Sequence, residues 1–315
     1  MFERVLTAIE SLKNPADCLL EYILVDNNST NELIEFGCVK RFLALPNARY
    51  ELEVRQGHAY ARMQGIEKAK APWVVFFDDD NEPESNYLLE LWPLTAQYPN
   101  VGVWGPGKVE VEFLGEVSPW LLYNKGEFQQ KNIGLRQFGC VKDWIACYPP
   151  GTGFAVRKLI LDSYLNKAKA GIYSDSGRTG KATASAEDVQ IIFEGVTRGF
   201  AAGVEPKMAL RHLIVARKAN LNYIKRLRFG MSSSFAKAYC ECFPEDANVI
   251  KVLRFSELIT LVWSAMYVSL YKRKSLKYFN FEMATVAGKA AGRYIKCKIA
   301  FPLWLRWWLF TLNLN

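Results

Sequence analysis

Trp73-Val74-Val75-Phe76-Phe77-Asp78-Asp79-Asp80 is the stretch on which the fold turns. Five apolar, β-rich residues run straight into three carboxylates, and a short uninterrupted apolar run of this kind marks a buried strand. Working outward, Val5, Leu6, Ile9 and Leu12 stand at helical spacing, and Asn14-Pro15 ends that segment. Tyr22-Ile23-Leu24-Val25 is a second apolar run, stopped by Asp26-Asn27-Asn28. A helix follows it, then a strand near Tyr50–Val54, then a helix of roughly residues 59–69 behind Gly57. After the aspartates, Pro83 is expected to open a helix toward Gln97, and Val101–Phe113 reads as extended. Helices alternating with near-continuous apolar strands predict an α/β fold whose mostly parallel central sheet is covered on both faces. Ligands bind such sheets beyond the carboxyl ends of the strands. Asp26 and Asp78–Asp80 all stand at such ends.

Half of the 315 residues are hydrophobic and 23% are charged, a composition that supports a packed core and excludes global disorder. The net charge of +8 is unevenly placed: residues 206–315 carry 19 Lys and Arg against 5 Asp and Glu, whereas residues 1–205 carry 21 against 27. A basic, aromatic tail points to an anionic surface, or simply to a solvated basic face. The seven cysteines form no CxxC pair or Cys/His cluster at zinc spacing, which fits reduced thiols in a cytoplasmic setting. The longest uncharged run of the tail, Leu258–Tyr271, is 14 residues, short of the roughly 20 that span a bilayer. Residues 114–150 have weak periodicity and 171–185 read as a loop. A helix carrying Val189, Ile192, Phe193 and Val196 comes next, and basic, aromatic helical segments are expected beyond about residue 207.

Three adjacent carboxylates at the end of a buried strand repel one another, and a divalent cation relieves that repulsion. Mg²⁺ takes oxygen ligands from one or two carboxylates plus substrate phosphates, and Mn²⁺ suits the same donors. Asp78-x-Asp80 therefore reads as a D-x-D site for a metal–diphosphate; the alternative is a solvated acidic turn. A prenyl-synthase DDxxD lies on a helix, and a phosphatase-type DxD is followed by Thr or Val, so both fit less well. Asp26 is placed to accept from a base N–H or ribose hydroxyl, while Ser29 with Glu32 offers a purely local capping box. Arg62 suits phosphate oxygens if it faces the crevice, and is otherwise a surface arginine. Asp188 is a candidate general base, yet Ser185-x-x-Asp188 also explains it as a helix cap. His212, one of two histidines, reads by itself as structural or exposed.

In order along the chain, Val25–Thr30, Gly57 with Ala61-Arg62, Phe77–Asp80, Pro150–Arg157, Ala186-Glu187-Asp188 and His212 followed by Arg226…Arg228-Phe229-Gly230 resemble family 2 glycosyltransferases of the Rossmann-like GT-A fold. The resemblance covers residues 1–235 and leaves 236–315 as a basic, aromatic helical extension. It implies an inverting, metal-dependent transferase that moves a sugar from a nucleoside-diphosphate sugar to a saccharide or lipid-linked acceptor in polysaccharide or glycoconjugate synthesis. By the same resemblance Asp26, Arg62, Asp78, Asp79, Gly151, Gly153 and Glu187 would bind the nucleotide sugar. Asp80 and His212 would hold Mn²⁺ or Mg²⁺, and Asp188 would be the catalytic base. Members of the family begin with a hydrophobic strand ending near Pro-x-Tyr-Asn, which has no counterpart ahead of Phe2. The domain is thus expected to be N-terminally incomplete, with a non-catalytic nucleotide-sugar-binding or scaffold protein as the alternative. Tyr271-Lys272-Arg273-Lys274 with Trp304, Trp307 and Trp308 predict peripheral contact with the inner face of the plasma membrane, against burial of those tryptophans in an ordinary helical subdomain. No nucleic-acid module is recognisable, and no nucleic acid is expected as a partner.

Overall fold

The computed structural model describes residues 1–174, 186–271 and 276–314. The chain divides into two compact units, Met1–Ile172 with Ile191–Arg217, and Tyr173–Gln190 with Lys218–Asn315.

The first unit opens with α1 (Phe2–Glu10), β1 (Tyr22–Asp26), α2 (Gly37–Leu43), β2 (Ala48–Leu52), α3 (His58–Lys68) and β3 (Trp73–Val75), in the expected order. Leu6 of α1 is buried against Val39 and Phe42 of α2, with Tyr22 and Leu24 of β1 packed on the same cluster. Next come β4 (Asn81–Pro83), α4 (Tyr87–Gln97), β5 (Val101–Leu114), α5 (Pro119–Tyr123), β6 (Lys131–Asn132), β7 (Gln137–Gly139), β8 (Ala155–Arg157) and α6 (Lys158–Lys169). Helix α7 (Glu187–Thr197) begins in the second unit and ends in the first, and β9 (Ala201–Val215) completes the sheet.

Strands β1 and β2 form a parallel pair of their own. The remaining seven make one sheet in the order β3-β8-β5-β9-β4, with β6 on β5 and β7 on β9. This mixed sheet, flanked by helices, is the α/β architecture expected, with one correction. Among the described residues only β1·β2 and β5·β9 are parallel, and the other pairings are antiparallel. The five residues that join β3 to β4 carry the chain between the two ends of that strand order, where β3 pairs with β8 and β4 with β9. Pro83 ends a strand instead of opening a helix, because Asn81, Glu82 and Pro83 pair with His212, Arg211 and Leu210. Residues 201–215, expected to run into helical segments, are one long strand, with residues 201–205 buried throughout.

The core lies between this sheet and α4, where Tyr87, Leu91, Leu94 and Trp104 are buried together. Ring edges meet ring faces among Tyr98, Trp104 and Phe138. On the face of β4 and β9 away from His212, Arg4 of α1 reaches Glu82 at 2.8 Å and Glu112 at 2.7 Å. Arg211 binds the same two carboxylates at 3.0 and 3.4 Å. These pairs are part-exposed and each contributes little, but the four together hold the register of β4 on β9.

In the second unit are α8 (Leu221–Cys242), α9 (Phe255–Tyr271), α10 (Leu276–Lys296) and α11 (Leu303–Thr311), the expected helical extension. Asn220 caps α8 by accepting from the Tyr223 N–H. Helices α8 and α10 lie close because Gly288 and Gly292 carry no side chain. A Cβ would stand 2.7 Å from the Phe229 carbonyl oxygen at the first and 2.5 Å from that of Ser233 at the second. Residue 235, where the sequence placed the end of the first domain, lies inside α8, and the second compact unit resumes at Lys218. Among the described residues, no helix is long and apolar enough to cross a membrane.

Candidate functional site

Beyond β3 the chain leaves the ladder with one further bond, Phe76 N–H to Phe154 O at 3.0 Å, and turns through the three aspartates into β4. Asn81, fully buried, clips that turn: its Oδ1 accepts from the Asp78 N–H at 3.3 Å and its Nδ2 donates to Asp80 Oδ1 at 2.8 Å. The three carboxylates are thereby sent to three different environments.

Asp78 meets two cations from α3. His58 Nε2 lies 2.9 Å from its Oδ1, and Arg62 Nη2 donates to both oxygens at 3.2 and 3.4 Å. Burial by itself would raise the Asp78 pKa, but the charges of His58 and Arg62 overcome it and hold the carboxyl well below the usual range. Arg62 is buried instead of lying on the surface; its guanidinium sits by the rings of Phe76 and Phe154 and also donates to Gly151 O at 3.3 Å. It thus ties the aspartate turn to the Gly151–Gly153 loop. Gly151 and Gly153 have φ of 75° and 64°, the left-handed region that glycine enters without penalty. The Gly153 carbonyl accepts from the Tyr87 hydroxyl, and a Cβ on Gly153 would stand 2.4 Å from Leu210 Cδ2.

Asp80 is buried and Asp79 exposed. The Asn81–His212 register brings His212 Nε2 to 3.5 Å from Asp80 Oδ1, while His212 Nδ1 stands 2.9 Å from the Phe128 carbonyl. A carbonyl accepts only, so Nδ1 carries a proton. In the neutral ring Nε2 then turns a lone pair toward a carboxylate oxygen. Two such acceptors facing each other call for a positive charge between them, a proton or a metal ion. A histidine whose far nitrogen donates to a backbone carbonyl is the usual form of a metal ligand. A carboxylate and an imidazole fit Mn²⁺ or Mg²⁺ as the protein's share of a shell completed by diphosphate oxygens. Among the described residues, no group of three or more His, Cys, Asp and Glu side chains is arranged to hold a metal.

Asp26 is buried at the end of β1, where its carboxylate accepts from the Tyr50 hydroxyl at 2.6 Å and the Ser29 N–H at 2.9 Å. Burial opposes its ionisation, yet these donors outweigh it and its pKa lies below the ordinary value. The local structure therefore does employ Asp26. No capping box forms from Ser29 and Glu32, and Glu32 merely precedes a single 3₁₀ turn at Leu33–Glu35. Asn27 Oδ1 accepts from the Gly57 N–H at 2.7 Å, which fastens this loop to the start of α3.

Glu187 and Asp188 open α7 within the second unit. Glu187 is buried, and Asp188 is half-buried with its Oδ1 accepting from the Val189 N–H at 2.9 Å. The same turn is anchored by Gln190, which donates to Glu241 of α8 at 2.7 Å. Ser185, half of the expected cap, lies outside the described residues, as do Lys272, Arg273 and Lys274.

The sequence missed three residues of this cluster. His58 carried a signal, since it stands four positions before Arg62 and so shares its helix face. Asn81 carried a local one, since it follows Asp80 directly and an asparagine amide bonds nearby groups in a turn. Tyr50 carried none, because only the pairing of β1 with β2 brings it to Asp26.

A helix-flanked α/β sheet with its strand-end carboxylates and glycine loop assembled in this way defines a glycosyltransferase domain of the GT-A type. The model of glycosyl transferase family 2 matches residues 2–164, and the chain belongs to that family. Among solved structures, the mannosyltransferase PcManGT from Pyrobaculum calidifontis, in complex with GDP-Man and Mn²⁺, is 17% identical with a TM-score of 0.50; the match covers 99% of this chain and 80% of that one. Residues 1–349 of TarS from S. aureus match at 10% identity and a TM-score of 0.42, over 96% of this chain and 89% of that one. No curated protein matched the chain in sequence.

Proposed function

We propose that the protein transfers a glycosyl group, with inversion, from a nucleoside-diphosphate sugar to a hydroxyl of a saccharide or lipid-linked acceptor, in polysaccharide or glycoconjugate synthesis. One observation carries the reading: His212 Nε2 and Asp80 Oδ1 face each other across 3.5 Å while the His212 Nδ1 is committed to the Phe128 carbonyl. Asp80 and His212 would hold the divalent ion, which supplies Lewis-acid stabilisation of the departing diphosphate. Asp26 would contact the base or ribose, and Asp79, the most exposed of the three aspartates, the donor. Asp78 and Arg62 shape the donor loop through Gly151, and the glycines let the backbone approach the sugar. Asp188 is assigned as the base, and Glu187 as its donor-binding neighbour, from the order of motifs along the chain. Asp188 takes the acceptor hydroxyl proton, the oxygen bonds to the anomeric carbon, and the bond from that carbon to the diphosphate oxygen breaks. Positioning and charge stabilisation supply most of the acceleration.

The test is donor binding by calorimetry and nucleoside-diphosphate release with UDP-, GDP- and dTDP-sugars, with and without Mn²⁺, GDP-mannose coming first because the PcManGT structure holds it. Asp80→Ala should abolish metal-dependent donor binding. Asp188→Asn should keep donor binding and lose transfer; undiminished turnover in that variant refutes its role as base. A second reading, a non-catalytic nucleotide-sugar binder, is favoured by the mutual satisfaction of Asp78, His58 and Arg62. Donor binding without turnover on any acceptor would select it.

A further inference from the structure

Helix α9 has two unlike faces. Leu258, Leu261, Val262 and Ala265 join the apolar cluster built from α10 and α11. On the other side Phe255, Ile259, Trp263, Tyr267 and Tyr271 recur at every fourth residue and all are exposed, Trp263 by 62%. Residues four apart stand on successive turns, each about 40° further round, so these five form one broad, slowly winding stripe about 24 Å long. Ser256, Thr260 and Ser264 stand beside it, also exposed. The one carboxylate of the helix, Glu257, is taken by Arg293 at 3.7 Å.

Helix α11 repeats the arrangement. Leu305 and Leu309 enter the same cluster, while Leu303, Trp307 and Phe310 are exposed, Trp307 by 69%, and the helix has no acidic residue. Trp308, expected at a membrane boundary along with Trp304 and Trp307, is half-buried on the cluster instead. Lys251, Arg254, Lys298 and Arg306 are exposed close in sequence to these faces and hold no ion pair among the described residues. Residues 250–315 carry 11 Lys and Arg against 2 Asp and Glu, and both acids are engaged, Glu257 as above and Glu282 by Arg228 at 2.7 Å.

Exposed apolar surface on this scale calls for a partner. A second copy would bring like charges together, and a self-association seam favours aliphatic residues at two positions per heptad with charges of both signs alongside. Tryptophan and tyrosine, each an apolar body with a polar tip, suit instead the boundary between headgroups and acyl chains, and unpaired cations suit acidic headgroups. We propose that the outward faces of α9 and α11 form a docking surface for an anionic lipid bilayer. The helices lie in the headgroup boundary and do not cross it. The sugar-transfer reading plays no part in this inference, and nucleoside-diphosphate release measured without lipid separates the two.

Full-length protein is floated with phosphatidylcholine vesicles and with vesicles that also contain phosphatidylglycerol. Flotation with the anionic vesicles only, weakened by salt, is the expected result, along with quenching of tryptophan emission by brominated lipid. Trp263→Ser with Trp307→Ser should lower the partition coefficient at least about tenfold, since two large apolar side chains leave the interface. Arg254→Gln and Arg306→Gln should each lower it about fivefold. Unchanged circular dichroism and melting show that these surface variants fold. Absence of flotation with anionic vesicles overturns the proposal, as does flotation that the tryptophan variants leave intact. A dimer in sedimentation equilibrium that Trp263→Ser dissolves, without lipid binding, would assign the stripe to a second copy.

Discussion

Replacing Arg62 by methionine would leave Asp78 with His58 as its only cation among the described residues. The guanidinium is buried, with 7% of its side chain exposed against 28% for Asp78, and it also supplies the bond to Gly151 O. Removing one partner of a buried ion pair costs about 3 kcal/mol, while methionine keeps most of the volume beside Phe76 and Phe154 and so limits any cavity term. That cost is roughly a hundredfold in the ratio of folded to unfolded protein. It should lower the urea midpoint of the first unit by about 1 M. The pH dependence tests the cause. A carboxyl held below its ordinary value contributes stability that is fully present above its unfolded pKa of about 4 and is lost as pH falls toward the folded value. Without Arg62 the folded pKa of Asp78 climbs back toward the ordinary range, so less remains to be lost in acid. The gap between the two proteins should therefore be full at neutral pH and narrow steadily below about pH 4. Equal urea midpoints at neutral pH, or a gap of the same size at neutral and acid pH, would refute the account of Asp78 as an ion-paired carboxylate.

Tyr50→Phe withdraws one of the two donors to Asp26 and should cost about 1.5–3 kcal/mol in urea unfolding, as for other hydrogen bonds to a charged group. It should also remove the phenol titration that burial, and then the bond to Asp26, now push up to about 12, read by ultraviolet absorbance. Gly288→Leu should separate α8 from α10 and lower the stability of the second unit by at least about 2 kcal/mol, because the added carbon meets the Phe229 backbone. Gly65→Ala in α3 is the contrasting case: the new methyl finds Val25 at an ordinary 3.5 Å, and the helix should gain about 0.5–1 kcal/mol, measured by thermal melting.

What the sequence by itself determined is local. The apolar runs Tyr22–Val25 and Trp73–Phe77, each halted by aspartate, specify strands with carboxylates at their ends, because apolar periodicity and turn chemistry act over a few residues. The helices at 2–10 and 58–68, the strand at 101–114 and the helical extension follow from the same local rules. The single helical turn between His58 and Arg62 is local too, although the Asp78 they share is brought to them by the fold. Pairing partners and environments were decided only by the tertiary structure. Residues 201–215 read poorly as a strand because β9 is buried on both faces at its start and alternates only later, so neither period stands out. Its register on β4 nonetheless selects His212, more than 130 residues away from Asp80, as that carboxylate's neighbour. Three adjacent aspartates look equivalent in sequence; folding makes one an ion-paired carboxylate, one a solvent-facing group and one a buried acceptor opposite an imidazole. The physical reason is range. Propensity and periodicity are properties of neighbouring residues, while burial, charge pairing and the direction of a lone pair depend on which distant strand the hydrogen-bond ladder brings alongside.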